Sequence, residues 1–251
     1  MMKFDPMRTR VPLLKRLVPS LRKRWAGLFW PGGFTVVRVR GARFLVNYRN
    51  FVDRQLAFYG GYEDAQLDYL LGAMTAARCD LFLDVGANFG LYSVLVAKVG
   101  AARRIVAIEP DPRSNAQHEA NLLLNDLIGR VEILALAATD QSRAVPFVAG
   151  PATTTGQSRI APSAGAASVA GTRLDELIEV QGQTIFAKID VEGHEREAVA
   201  GMAALFQGNR VFLQVESFDP SAVALTADLT RFGLVRVHGI GDDHYFANFT
   251  P

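Results

Sequence analysis

"FLDVGANFGLYS", Phe82 to Ser93, decides the fold. An apolar run ends in Asp84, and a turn carrying Gly86 and Gly90 follows at once. In open α/β sheets a ligand sits outside the carboxyl ends of the strands, on turns of this kind. Gly86 brings backbone close to a ligand with no side chain between, and Gly90 lets the next helix pack close. A dinucleotide turn needs Gly-x-Gly-x-x-Gly, because a pyrophosphate must meet backbone N–H groups at the helix start. Here Asn88 stands two residues after Gly86 and Leu91 five after it, so both further glycines are missing. The turn suits a ligand with an adenosine and no pyrophosphate.

Nineteen residues past Gly90, the strand "RIVAIE" ends in Glu109. A carboxylate at the end of the second strand can accept hydrogen bonds from both ribose hydroxyls. Burying an acid there without partners is costly, so it calls for a bound group or a cap. "EPDP" turns the chain sharply, with Pro110 and Pro112 delaying helix until Arg113. Asp84 has two readings: it binds the amino group of a methionine moiety, or it fixes the turn by accepting backbone N–H groups. Asn88 can do either.

Outward from this unit the periods alternate. "FTVVRVRGARFLVNY" reads as a hairpin, Phe34–Arg40 against Arg43–Tyr48. "EDAQLDYLLGAMTAARC" has helical spacing at Leu67, Leu70, Leu71 and Met74. Apolar strands at 81–85, 104–109, 131–138, 184–191 and 210–217 are separated by helices at 91–100, 113–126 and 195–206. Such strands imply a mostly parallel sheet covered on both faces. "LVRVHG" and "HYFANF", joined by "IGDD", close it as an antiparallel hairpin, giving a Rossmann-like, seven-stranded α/β fold. Between Phe147 and Leu174 lies an irregular, nearly uncharged stretch rich in Ala, Gly, Ser and Thr. A loop of that length inside a domain either covers a substrate or is an insertion. Residues 1–30, 31–80 and 81–251 divide as a basic lead-in, a hairpin with a helix, and the ligand-binding domain.

The chain of 251 residues is 49% apolar, ample for a core, and carries +2 overall. Residues 1–30 hold eight basic residues and Asp5, a charge of +7, which leaves −5 for the rest. Breaks at Pro12 and Pro19 leave no apolar run long enough for a signal peptide or a membrane span. The lead-in reads as a helix with a solvated basic face, as a contact with an anionic membrane surface or acidic substrate, or as a nucleic-acid arm or tail. A cytoplasmic protein is expected, with membrane association through residues 1–30 open. Cys79 is the single cysteine, which excludes an intramolecular disulfide and reads as a small buried residue.

The fourth parallel strand ends "AKIDVEGHE", 187–195, and the fifth "LQVES", 213–217. Both ends should face the crevice of the glycine turn. Asp190 leads as the catalytic group, His194 suits a general base, and Glu216 can bind a hydroxyl, act as base or ligate a metal. Two carboxylates and a histidine also resemble a divalent-metal site, so a magnesium ion stays open. Against these readings, Glu192, Glu195 and Glu197 sit where acids complement a helix dipole, and His194 can serve as a cap. The base-methylating motif (D/N)PP(Y/F) is absent from the fourth strand end, which favours oxygen as acceptor and speaks against nucleic acid.

"FLDVGANFGLYSVLVA", "IEPDP", "TRLDEL", "KIDVEGHE" and "VESF", in this order, resemble the FkbM-type methyltransferases over about residues 60–250. The resemblance implies a class I fold, S-adenosylmethionine as donor, and O-methylation of a sugar or glycan hydroxyl or of a polyketide-type natural product. It implies that Asp84, Gly86, Ala87, Asn88, Gly90, Glu109 and Pro110 line the cofactor site. Asp190, Glu192 and His194 match the second signature, and "TTTGQSR" resembles the family's Gly-x-Ser loop, placing Gly156 and Ser158 near the substrate. Two other classes stand beside this reading: a non-catalytic cofactor-binding protein docked through its basic N-terminus, and a nucleic-acid methyltransferase.

Overall fold

The structure is a computed structural model and describes residues 24–151, 158–160, 167–218 and 221–250. Residues 24–29 are helical; Ala26 is buried while Trp25, Leu28 and Phe29 are exposed, and the basic segment before Arg24 lies outside the described residues. Strands β1 (Phe34–Val39) and β2 (Ala42–Asn47) pair as an antiparallel hairpin. Arg40 and Gly41 both have positive φ, the geometry of a two-residue turn that follows the strands' twist. Helices α1 (Phe51–Tyr59) and α2 (Asp64–Ala77) lead into the large sheet.

That sheet begins with β3 (Cys79–Val85), α3 (Leu91–Val99), β4 (Ala102–Ile108), α4 (Pro112–Leu124) and β5 (Glu132–Leu134). A second, four-stranded sheet intervenes: β6 (Ala137–Ala138), β7 (Arg143–Val148), β8 (Arg159–Ile160) and β9 (Ala167–Thr172). The chain then passes α5 (Leu174–Leu177), β10 (Thr184–Ile189), α6 (Glu195–Ala200), a 3-10 turn (Ala203–Phe206), β11 (Arg210–Glu216), α7 (Ser221–Arg231), β12 (Val235–Ile240) and β13 (Asp243–Ala247). The seven strands run in the order β12-β13-β11-β10-β3-β4-β5. β11, β10, β3, β4 and β5 are parallel, and β13 joins β11 antiparallel. The expected Rossmann-like sheet with its terminal hairpin is what the chain forms.

Alternation along β3 splits the core. Phe82 packs with Phe44, Leu56, Leu70, Phe186 and Phe212 on one face, joined by the β1–β2 hairpin and α1–α3. Leu81, Leu83 and Val85 pack with Ile185, Ile189, Val199 and Leu225 on the other, under α6 and α7. Among the described residues no helix is long and apolar enough to cross a membrane. Cys79 is free and buried; its thiol contacts the Leu81 carbonyl at 3.3 Å, and burial pushes it up to about 12.

Three expectations about elements need correcting. Residues 131–138 are not one strand: the Leu136 N–H bonds back to the Leu134 carbonyl, and Ala137–Ala138 pair with Gly171–Thr172 in the small sheet. The stretch after Phe147, read as irregular, supplies β8 and β9. Its small residues have weak strand preference, and pairing with β7 supplies the order. Residues 195–206 are not one helix. At Gly201 a Cβ would lie 2.0 Å from the Thr139 carbonyl, and this close approach coincides with the break between α6 and the 3-10 turn. Helix α4 also begins at Pro112, one residue earlier than expected, since proline is tolerated at a first helical position.

Candidate functional site

A cavity of ≈ 300 Å³ opens where the carboxyl ends of β3, β4, β10 and β11 converge. The chain proceeds from β3 to β4 on one side, and β10 returns on the other side of β3. Ligand crevices form at such a switch point. Asp84, Gly86, Ala87, Asn88, Glu109, Pro110, Ser158, Asp190, Glu192 and Glu216 all line it. Gly90 and His194 do not belong to the lining, and Gly156 lies outside the described residues.

The glycine turn is built from both sides. Gly86 has φ +81, and a Cβ there would sit 1.8 Å from the Asp190 carbonyl oxygen. Its bareness therefore admits the end of β10 as well as any ligand. Gly90 has φ +83 and admits His118 of α4, whose ring would lie 2.1 Å from a Cβ. Asp84 takes the turn-fixing role: its Oδ2 accepts from the Ser93 N–H at 2.9 Å and the Ser93 hydroxyl at 2.5 Å. Asn88 holds a left-handed backbone, and its Oδ1 accepts from the Ser114 hydroxyl at 3.1 Å.

Glu109 is 7% exposed. Its Oε2 accepts from the Asn88 N–H at 2.9 Å and its Oε1 from the Asp111 N–H at 2.7 Å. A carboxylate has about four acceptor sites, so capacity remains on both oxygens. Burial pushes the carboxyl up to about 7 despite these two donors. Beside it, Asp111 caps α4 through the Arg113 N–H and accepts from the Ser158 hydroxyl at 2.8 Å. Ser158 also accepts from the Gly150 N–H at 2.9 Å, tying the small sheet to the Glu109 corner.

Asp190 follows β10, and the Lys188 ammonium lies 2.8 Å from its Oδ2. Burial opposes ionisation of Asp190, but that ammonium outweighs it and holds the carboxyl below the usual range. Glu216, at the end of β11, stands beside Asp190 in the register of the two parallel strands and is driven far above the usual range, by burial first and by Asp190 second. Glu192 lies on the exposed lip in a left-handed conformation. His194 turns away: its Nε2 is 3.1 Å from Thr139 Oγ1 and its Nδ1 is 3.5 Å from Glu197. Glu195 accepts from the Gly193 N–H at 2.9 Å and shapes the loop between β10 and α6. Among the described residues no group of three or more His, Cys, Asp or Glu could hold a metal ion.

Part of the wall is not legible in the sequence. Asn50, Phe51, Val52 and Asp53 of α1 and its cap, Tyr62 and Glu63 before α2, Tyr92 of α3, and Lys188 all line the cavity. Lys188 carried a usable signal, a lone charge inside an apolar strand.

A family model, the methyltransferase FkbM domain, matches residues 84–234. No curated protein matches the chain. A SAM-dependent methyltransferase from Agrobacterium tumefaciens superposes with a TM-score of 0.51 at 10% identity, over 86% of this chain and 70% of that one. M. jannaschii TYW2, solved in complex with AdoMet, gives a TM-score of 0.45 at 10% identity, over 86% of this chain and 84% of that one. At such identity the Agrobacterium likeness concerns the fold.

Proposed function

We propose that this chain, which belongs to the FkbM methyltransferase family, methylates a hydroxyl of a sugar, a glycan or a polyketide-type natural product. The methyltransferase activity and its donor, S-adenosylmethionine, follow from the family. The hydroxyl acceptor is our own reading, and one observation carries it: Asp190, kept ionised by Lys188, lines the same cavity as the glycine turn and Glu109.

The residues fit the donor. Eight acids (Asp53, Glu63, Asp84, Glu109, Asp190, Glu192, Glu195 and Glu216) and two bases (Lys188 and Arg159) line the cavity. A wall of that sign favours a sulfonium and opposes a pyrophosphate. Glu109 retains acceptor capacity for ribose hydroxyls, and Ile108, Ala137, Ala138 and Phe147 supply apolar surface beside it. When bound, the donor supplies a methyl group on positively charged sulfur, an electrophile that needs no acid.

The chain's own task is placement and proton handling. A hydroxyl has a pKa far above neutrality, so it gains from a neighbouring base. Asp190 accepts the hydroxyl proton at its carboxylate, and the loop of Glu192 and Gly193 forms the lip over which an acceptor enters. Ser158 and its tie to Asp111 hold the small sheet against the cavity. Holding the reacting atoms together accounts for much of the rate in such a displacement.

The test is Asp190→Asn. Turnover against a panel of hydroxylated acceptors should fall by roughly a hundredfold or more, the usual worth of a positioned base. Affinity for S-adenosylhomocysteine should stay within a few fold. Undiminished turnover removes Asp190 from the chemistry.

A further inference from the structure

Lys188 is 5% exposed near the end of the largely apolar strand β10. Its ammonium sits 5.0 Å from the centre of the Tyr92 ring as well as on Asp190. The ring is fixed in turn. Tyr92 donates its hydroxyl to Glu63 Oε2 at 2.7 Å and accepts from Gln214 Nε2 at 3.1 Å. Gln214 also donates to Asp243 Oδ1 at 2.8 Å, and Gln66 donates to Asp243 Oδ2 at 3.1 Å. The network spans α2, α3, β10, β11 and β13, so the ammonium has a built seat. Asp190, Glu63, Tyr92 and Asp84 act on Lys188; Asp190, Lys188 and Glu63 act on Glu216, which in turn acts on Tyr62.

Asp190 and Glu216 are neighbours: Ile189 pairs with Val215, so the two acids follow at the matching ends of parallel β10 and β11, and both line the cavity. Neighbouring carboxylates repel when both are ionised, which favours a proton on one of them, and the Lys188 ammonium pairs with Asp190. We propose that Lys188 is the positioning residue that decides which: it fixes Asp190 as the charged member and leaves the proton on Glu216. An acceptor then meets one hydrogen-bond acceptor and one donor side by side. That pairing suits two neighbouring oxygens, a hydroxyl facing Asp190 and a second oxygen accepting from Glu216, as in a vicinal diol or a hydroxy ether. This substrate class rests on the hydroxyl-methylation reading above, whereas the assignment of the proton does not.

The full chain, with its Asp and Glu side-chain carboxyl carbons labelled with carbon-13, is titrated by NMR. Glu216→Gln and Asp190→Asn identify the two resonances. The Glu216 carboxyl should stay protonated through pH 7, while the Asp190 carboxyl should titrate below the usual aspartate range. In Lys188→Met the Asp190 midpoint should rise by roughly one to three pH units, the effect of losing an adjacent opposite charge. In Lys188→Arg, which keeps the charge, it should stay low. An ordinary Glu216 titration near pH 4 to 5 in the unmodified chain overturns the proposal, and so does an Asp190 midpoint unmoved in a folded Lys188→Met chain. If Lys188→Met does not fold, the Glu216 titration in the unmodified chain still decides. No acceptor enters these measurements, so they can fail while the Asp190→Asn turnover test succeeds, and the reverse.

Discussion

Glu109 makes donor affinity depend on pH in a way that an ordinary glutamate would not. In the free protein burial lifts its carboxyl to about 7. A ribose hydroxyl donates to the charged form, so binding selects the carboxylate. Below pH 7 the site must first lose a proton, and apparent affinity should fall toward tenfold for each pH unit; above it, affinity should level off. Between pH 6 and pH 8 the total rise is roughly tenfold, or about 1.4 kcal/mol. Isothermal titration with S-adenosylhomocysteine at constant ionic strength reads this directly. Glu192, though on the exposed lip, is also raised to about 7, by partial burial of its carboxyl first and then by Asp190, so a single curve is ambiguous. Glu109→Gln separates the two: its affinity should drop by roughly 1–3 kcal/mol at pH 8 and lose the slope, whereas Glu192→Gln should keep the slope. A flat curve in the unmodified chain, or an undiminished slope in Glu109→Gln, refutes the ribose role.

Two further outcomes concern stability. His118 is fully buried, among the described residues both its ring nitrogens lack a hydrogen-bond partner, and burial lowers its pKa to about 4 from 6.5. The unfolded chain therefore takes up that proton first, so stability present above pH 6.5 is lost as pH falls to 4, by about 3 kcal/mol. His118→Leu should abolish that share of the acid slope in urea titrations; an unchanged slope rejects the assignment. Gly86→Ala must accommodate both a positive φ and a Cβ 1.8 Å from the Asp190 carbonyl. It should cost more than about 2 kcal/mol in the same assay and weaken S-adenosylhomocysteine binding, and a fully stable, fully binding variant contradicts the close approach.

What could be read from sequence was local. The Asp84–Gly90 turn, Glu109, Asp190 and Glu216 announce themselves because each follows an apolar run, and strand ends of one parallel sheet share an edge. The role of Lys188 is not legible locally: Asp190 is two residues on, but the Tyr92 ring beside its ammonium and the Glu63 that fixes that ring come from far off in sequence. Glu63 has no local signature at all. His194 lies four residues from Asp190, yet positive φ at Glu192 and Gly193 redirects the chain, and its ring faces Thr139. Helix α1 went unread although Asn50 and the left-handed Gly60 bracket it. Weak strand formers in the stretch after Phe147 concealed a sheet that exists through pairing with β7.

That small sheet leaves and rejoins the main fold at adjacent points, since Ala137 pairs with Gly171 and Ala138 with Thr172. Everything between them is a closed excursion whose ends are already held together. Lengthening such an excursion costs little closure entropy, because the penalty grows only with the logarithm of its length. The length of the excursion can therefore change at little entropic cost to the main sheet, but the tie from Ser158 to Asp111 couples any such change to the Glu109 corner of the cavity.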